Sequence, residues 1–230
     1  FCEELKKQDH EVLIICPKIG DKQKSTKNIW RFRSIPYPFQ PEHRMTSPLS
    51  RHLKTFKDQN IDIIHIQTPF FMGHLGQYLS KKHNIPLIHT YHTYWMEYLH
   101  YFPLVPARFR KNADKLFTKK FCNRCKHIIV PSSQIKERLK SQEVTTPLSI
   151  IPTGINLHQT KASTSNTEFR KKHHIPKDKK LLIFVGRLGK EKNVYFLLEA
   201  FKKIHETHPN THLFIAGDGP EKEKMEKFAH

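Results

Sequence analysis

Short apolar runs alternate with amphipathic stretches along the whole chain. Apolar runs at residues 11–16, 29–33, 61–66, 86–90, 127–131, 148–151, 180–185 and 211–216 predict strands. Several are apolar throughout rather than alternating, as expected of parallel strands buried on both faces. Apolar positions at helical spacing predict helices over residues 50–59, 72–83, 107–126, 134–141, 167–173, 194–208 and 221–229. This alternation of strands and helices implies an α/β protein built on doubly wound parallel sheets.

The pattern breaks at residues 156–166, a polar stretch rich in Ser and Thr, and a fresh strand–helix series follows it. The expected organisation is a Rossmann-like domain of about six strands over residues 1–155, a linker over 156–166, and a second Rossmann-like domain over 167–230. The second series holds only two strands, too few for a complete open sheet. The chain also begins without Met on a helix tail and ends inside another helical pattern. It reads as an internal fragment of a longer protein, lacking the first strand of its first domain and most of its second.

Charge narrows the partners. The 230 residues carry 40 Lys and Arg against 21 Asp and Glu, a formal net charge of +19. That excess favours an anionic partner: a phosphorylated ligand, an anionic membrane surface or a nucleic acid. Helix-turn-helix, zinc-finger and RNA-binding motifs are absent from the sequence, so no specific nucleic-acid partner is expected. No run approaches the ~20 apolar residues of a membrane span. Cys122-Asn-Arg-Cys125 is a lone CxxC without a second ligand pair, so no metal site is expected and the four cysteines read as reduced.

The strongest chemical signal is Phe184-Val-Gly-Arg-Leu-Gly-Lys-Glu-Lys-Asn193. An apolar strand runs into Gly186, Arg187 follows, and Lys192 stands where a helix is expected to begin. Backbone amides and the helix dipole favour an anion there, and the two side chains add full charges. A plain strand-to-helix turn with solvated cations fits the same residues. Gly217-Asp218-Gly219-Pro220 follows the next strand, at the edge where ligands approach doubly wound sheets. Asp218 is a candidate nucleotide contact, although a turn with Pro at the first helical position accounts for the motif nearly as well. In the first half, residues 89–101 pack His, Tyr and Trp densely after a strand, a composition suited to stacking on a sugar and bonding its hydroxyls.

These residues carry a resemblance. Ile183–Asn193 and Phe214–Pro220, with Pro131-Ser-Ser133 and Ile151-Pro-Thr-Gly-Ile155 between the domains, resemble glycosyltransferase family 4, retaining enzymes of the GT-B fold. The resemblance covers nearly the whole chain. It implies that Gly186, Arg187 and Lys192 bind the diphosphate of a nucleotide-sugar donor. It also implies that Thr153 and Gly154 sit at an inter-domain hinge facing the cleft, where they contact donor phosphate or simply turn the chain. The family's histidine that contacts the transferred sugar matches His92; His89, still on the strand, is the lesser choice. His92, Arg187 and Lys192 are thus the candidate catalytic residues, and the donor is a substrate, with no tightly bound cofactor expected. The family's glycine-rich loop after the first strand would precede Phe1, and its paired glutamates would lie beyond His230. The chain alone is therefore expected to have little transferase activity.

Within that family, Ser34-Ile-Pro-Tyr-Pro-Phe-Gln-Pro-Glu-His-Arg44, Thr68-Pro-Phe70 and the segments around His92 and Cys122 are similar to bacterial diacylglycerol glucosyltransferases. That similarity implies UDP-glucose as donor, diacylglycerol as lipid acceptor, and peripheral attachment to the cytoplasmic face of the cell membrane. From Arg108 to Lys126 eight Lys and Arg face one acid, Asp114, while Phe109, Ala113, Leu116, Phe117 and Phe121 recur at helical spacing. Such a helix can lie on anionic lipid, or pack its apolar face on a sheet with its cations merely solvated. Residues 32–49, with prolines and aromatics, are an acceptor-side loop or plain connecting chain.

Overall fold

The computed structural model describes residues 1–20, 22–38, 40–92, 107–155 and 166–229. The aromatic segment beyond His92 and the expected linker lie outside the described residues. The chain divides into two compact units, Phe1–Gly154 and Ile155–His230.

The first unit opens with a short helix, α1 (Cys2–Lys6), then β1 (Ile14–Pro17) and β2 (Ile29–Phe32), paired in parallel with Ile14 opposite Ile29. An antiparallel hairpin follows, β3 (Ser34–Tyr37) and β4 (Gln40–Thr46), and then a one-sided 3-10 helix, Arg51–Gln59. Four parallel strands form the main sheet in the order β5 (Ile64–Ile66), β6 (Leu87–Thr90), β7 (His127–Val130) and β8 (Leu148–Ile150). Its crossovers are α2 (Phe71–His83), α3 (Ala107–Cys122) and α4 (Ser133–Ser141). The six expected strands of this unit are present, but hydrogen bonding groups them as two and four. One apolar cluster bridges the groups, with Trp30 and Phe32 of β2 packed beside Leu75 and Leu79 of α2 and against Ile64 of β5.

Local chemistry sets several boundaries. The Ser132 hydroxyl accepts from the Ile135 amide and starts α4. α2 ends where Asn84 adopts a left-handed conformation, φ 55°, which Asn tolerates. Gly73 and Gly76 let α2 lie close on the sheet: a Cβ at Gly73 would stand 2.2 Å from the Thr68 carbonyl oxygen.

Three sequence expectations are corrected here. Residues 32–49 are largely a hairpin, not a loop. Pro36, Pro38 and Pro41 argue against a strand because they donate no ladder bond, but each strand of a two-stranded ribbon has a free edge where that lack costs little. α3 stops at Cys122 rather than continuing to 126, because the Lys126 amide is claimed by the Leu87 carbonyl of the sheet, 2.7 Å away. The inward face of α3 also differs from the expected apolar stripe. Asp114, Thr118, Phe121 and Cys122 are buried, whereas Leu116 is 66% exposed. Asp114 turns inward because the Gln142 side chain donates to its carboxylate. Burial nonetheless raises the Asp114 pKa.

The second unit contains α5 (Asn166–Lys172), β9 (Lys180–Val185), α6 (Val194–Thr207), β10 (Thr211–Ala216) and α7 (Lys222–Ala229). β9 and β10 pair in parallel from Lys180–Thr211 to Val185–Ala216. Leu188, Val194 and Met225 form its small buried core, with Phe184, Leu198 and Ile215 against it.

Candidate functional site

Two strand ends build the candidate site of the second unit. The Gly186 amide donates to the Ala216 carbonyl at 3.0 Å, extending the β9–β10 ladder by one step. Beyond it the loops interlock. The Leu188 amide donates to the Asp218 carbonyl at 2.9 Å, and the Glu221 amide donates to the Leu188 carbonyl at 3.0 Å. The glycines allow this close approach. A Cβ at Gly217 would lie 1.9 Å from the Gly186 carbonyl oxygen, and one at Gly219 would lie 2.4 Å from that of Leu188. Asp218 is committed locally, its carboxylate accepting from the Gly219 amide at 2.8 Å.

Arg187 emerges from this knot half-buried, with Nη1 3.6 Å from Glu191 Oε1; the Glu191 side chain is only 2% exposed. Gly189 makes room for that carboxylate, since a Cβ there would sit 2.3 Å from it. Glu191 was not singled out from the sequence, though its position four residues after Arg187 is a readable ion-pair spacing. Lys192 is exposed and does not open a long helix as expected. It closes a single 3-10 turn, Lys190–Lys192, and α6 begins only after Asn193, whose φ is 46°. The reason lies in the turn itself: the Lys192 and Asn193 amides are taken by the Gly189 and Lys190 carbonyls. The site therefore offers one guanidinium held by a buried carboxylate and one exposed ammonium on the same loop.

In the first unit, His92 lies two residues past β6, exposed. Its Nε2 is 2.6 Å from Gln67 Oε1, just past β5. Gln67 Nε2 is 3.0 Å from His65 Nε2, which also meets the Thr90 hydroxyl at 2.7 Å. Parallel register levels the two strand ends, with Ile66 opposite His89. No local sequence signal pairs residues 67 and 92; only the register does. His89 is 1% exposed on β6, its Nδ1 2.9 Å from the Ile66 carbonyl. Burial pushes its pKa down to about 4, so it is a neutral core histidine. Burial lowers the pKa of His65 too, and nearby His92 adds to this.

Thr153 and Gly154 are exposed and follow β8 without regular structure; a Cβ at Gly154 would meet nothing within 4 Å. Cys122 and Cys125 are buried thiols whose pKa burial raises to about 12. Among the described residues no group of three or more His, Cys, Asp or Glu is placed to hold a metal ion.

The fold of this chain is that of GT-B glycosyltransferases. Sucrose-phosphate synthase from Thermosynechococcus elongatus superposes with a TM-score of 0.70 at 19% identity, covering 98% of this chain and 59% of that one. Anabaena HepE, solved with UDP and glucose, superposes with a TM-score of 0.61 at 16% identity, covering 86% and 50%. Residues 1–159 match the model of Glycosyltransferase Family 4, and residues 165–230 match that of Glycosyl transferases group 1. The chain belongs to glycosyltransferase family 4. It is 32% identical to the alpha-monoglucosyldiacylglycerol synthase of Acholeplasma laidlawii, over 98% of this chain and 59% of the relative. The enzyme of the same name from Streptococcus pneumoniae is also 32% identical, over 94% and 50%. The chain thus spans between half and three-fifths of the length of these two relatives.

Proposed function

We propose that the protein containing this chain is a retaining glycosyltransferase that moves glucose from UDP-glucose to the hydroxyl of diacylglycerol at the cytoplasmic membrane face. The observation that carries the reading is Arg187, held at the carboxyl end of β9 within interlocked glycine turns and followed by Lys192 on the same loop. Departure of a nucleoside diphosphate leaves negative charge on its terminal phosphate, and fixed cations stabilise that charge most when they need no reorganisation. In the step envisaged, the bond from the anomeric carbon to the phosphate oxygen breaks. The lipid hydroxyl attacks on the same face, and its proton passes to the departing phosphate oxygen. His92 bonds a hydroxyl of the transferred sugar.

Identity to two monoglucosyldiacylglycerol synthases supports the choice of sugar and lipid. The outer face of α3 supports the membrane placement. Exposed Leu116 stands between cationic positions, with Lys120 exposed beside it, while Lys115 and Lys119 are engaged by Glu143. No helix among the described residues is long and apolar enough to cross a membrane, so attachment in this reading is to the surface.

The test is a screen of nucleotide-sugar donors against lipid and polysaccharide acceptors with the full-length protein, products read by mass spectrometry. Glucosyl-diacylglycerol from UDP-glucose is the expected product. Transfer to a different lipid or a polysaccharide would replace the acceptor, and release of no product from any donor would remove the enzymatic reading.

A further inference from the structure

The contacts around His92 go beyond a single hydrogen bond. A carboxamide presents an acceptor oxygen and a donor nitrogen in fixed positions. Gln67 places one against each of two imidazoles: Oε1 toward His92 Nε2 at 2.6 Å, and Nε2 toward His65 Nε2 at 3.0 Å. With the oxygen facing His92, the His92 ring donates its Nε2–H. The His65 Nε2 is then a lone-pair nitrogen, accepting from the Gln67 amide and from the Thr90 hydroxyl 2.7 Å away. The one lone pair of His65 Nε2 is shared between those two donors. Turning the amide over inverts both rings together, so the two Nε2 atoms are never both protonated while every bond is made.

We propose that Gln67, anchored by His65 and Thr90, is the positioning residue that sets the tautomer and ring orientation of His92. The proposal rests on the reading of His92 as the sugar-facing histidine. With Nε2–H given to Gln67, Nδ1 is the nitrogen this bond does not use. In the neutral ring Nδ1 is then an acceptor, and a sugar hydroxyl donating to it meets a fixed lone pair rather than a mixture of tautomers. The titratable side chains near His92 in this network are His65 and His89, both pressed toward the neutral form by burial. A neutral His65 keeps a nitrogen able to play either part opposite the amide.

Stability does not explain the arrangement. Gln67 and His92 are exposed, and hydrogen bonds between exposed side chains contribute little net stability while ordering them has an entropic cost. Both residues stand on segments that leave the carboxyl ends of adjacent parallel strands, β5 and β6, where doubly wound sheets place their ligands.

The test compares wild type, Gln67→Leu, Gln67→Glu and His92→Ala in the full-length protein. Long-range proton–nitrogen NMR reads the tautomer of His92, and steady-state kinetics reads turnover. Wild type is expected to hold His92 as a single neutral Nε2–H tautomer. In Gln67→Leu the ring becomes a mixture, and kcat falls by about tenfold or more with little change in donor KM. Gln67→Glu retains an acceptor oxygen and recovers most of the loss. Gln67→Leu added to His92→Ala lowers turnover no further. An unchanged His92 tautomer in Gln67→Leu, or equal losses from Gln67→Leu with and without His92, would overturn the proposal. If His92→Ala leaves turnover intact, the sugar-facing role of His92 fails, and the tautomer comparison still decides whether Gln67 sets the ring.

Discussion

Arg187 and Glu191 form an ion pair across one loop, Nη1 to Oε1 at 3.6 Å, in which the Glu191 side chain is nearly fully buried and the Arg187 side chain a quarter exposed. The asymmetry gives the two residues different jobs. Glu191 holds, and the Arg187 side chain stays partly accessible.

Arg187→Ala leaves the Glu191 carboxylate buried without this cation. The variant is expected to lose roughly 1–3 kcal/mol of stability as well as donor affinity. Arg187→Ala combined with Glu191→Gln recovers stability but not donor binding. Chemical denaturation and calorimetric titration of UDP-glucose on the full-length protein separate the two effects. Equal stability of Arg187→Ala and wild type would remove the holding role of the pair.

The glycine turns divide into those the fold requires and those it does not. Gly217→Ala drives a Cβ to 1.9 Å from the Gly186 carbonyl oxygen, whereas Gly154→Ala meets nothing within 4 Å. The first substitution is expected to cost about 1–3 kcal/mol or more by forcing the two loops apart. The second should stay within about 0.5 kcal/mol of wild type. Urea unfolding midpoints measure both.

His89 makes the protein acid-sensitive. Its pKa falls from the ordinary 6.5 to about 4 in the folded state, because burial penalises the charged ring. Between those values the unfolded chain binds the proton and the folded chain does not. The stabilisation from His89 is therefore complete above pH 6.5 and is lost as pH drops toward 4. His65 acts in the same direction. His89→Asn keeps a side-chain donor for the Ile66 carbonyl and should flatten the slope of unfolding free energy between pH 7 and 4. An unchanged slope would count against this assignment.

Membrane attachment through α3 predicts a specific loss. Leu116→Asp should weaken co-sedimentation with vesicles containing anionic lipid by about tenfold, from lost apolar burial in the interface. Lys120→Glu should also weaken it, by a factor that grows as salt is lowered, each surface-near cation contributing ~1 kcal/mol. Lys115→Gln should matter less than Lys120→Glu, because Glu143 already engages Lys115. Wild-type binding by Leu116→Asp would rule out this face.

Much of this protein was legible in its residue pattern. All eight expected strands are present, since apolar runs such as 127–130 leave little choice but a sheet interior. The glycine and cation spacing after β9 is readable too, being a local property of one loop, and its phosphate-binding role is a proposal. The hairpin at Ser34–Tyr37 and Gln40–Thr46 was hidden by prolines whose cost depends on which edge they face. The buried face of α3 was hidden because Asp114 goes inward only once Gln142, 28 residues away, supplies a donor. Sequence by itself determined the eight strands of the two units outside the hairpin, the family and the cations at the end of β9, all of which rest on short-range pattern. Tertiary structure decided what those residues touch. The interlock of Leu188 with Asp218 and the Gln67 bridge to His92 depend on parallel register and close backbone approach. Those quantities arise only when segments far apart in the chain are packed together.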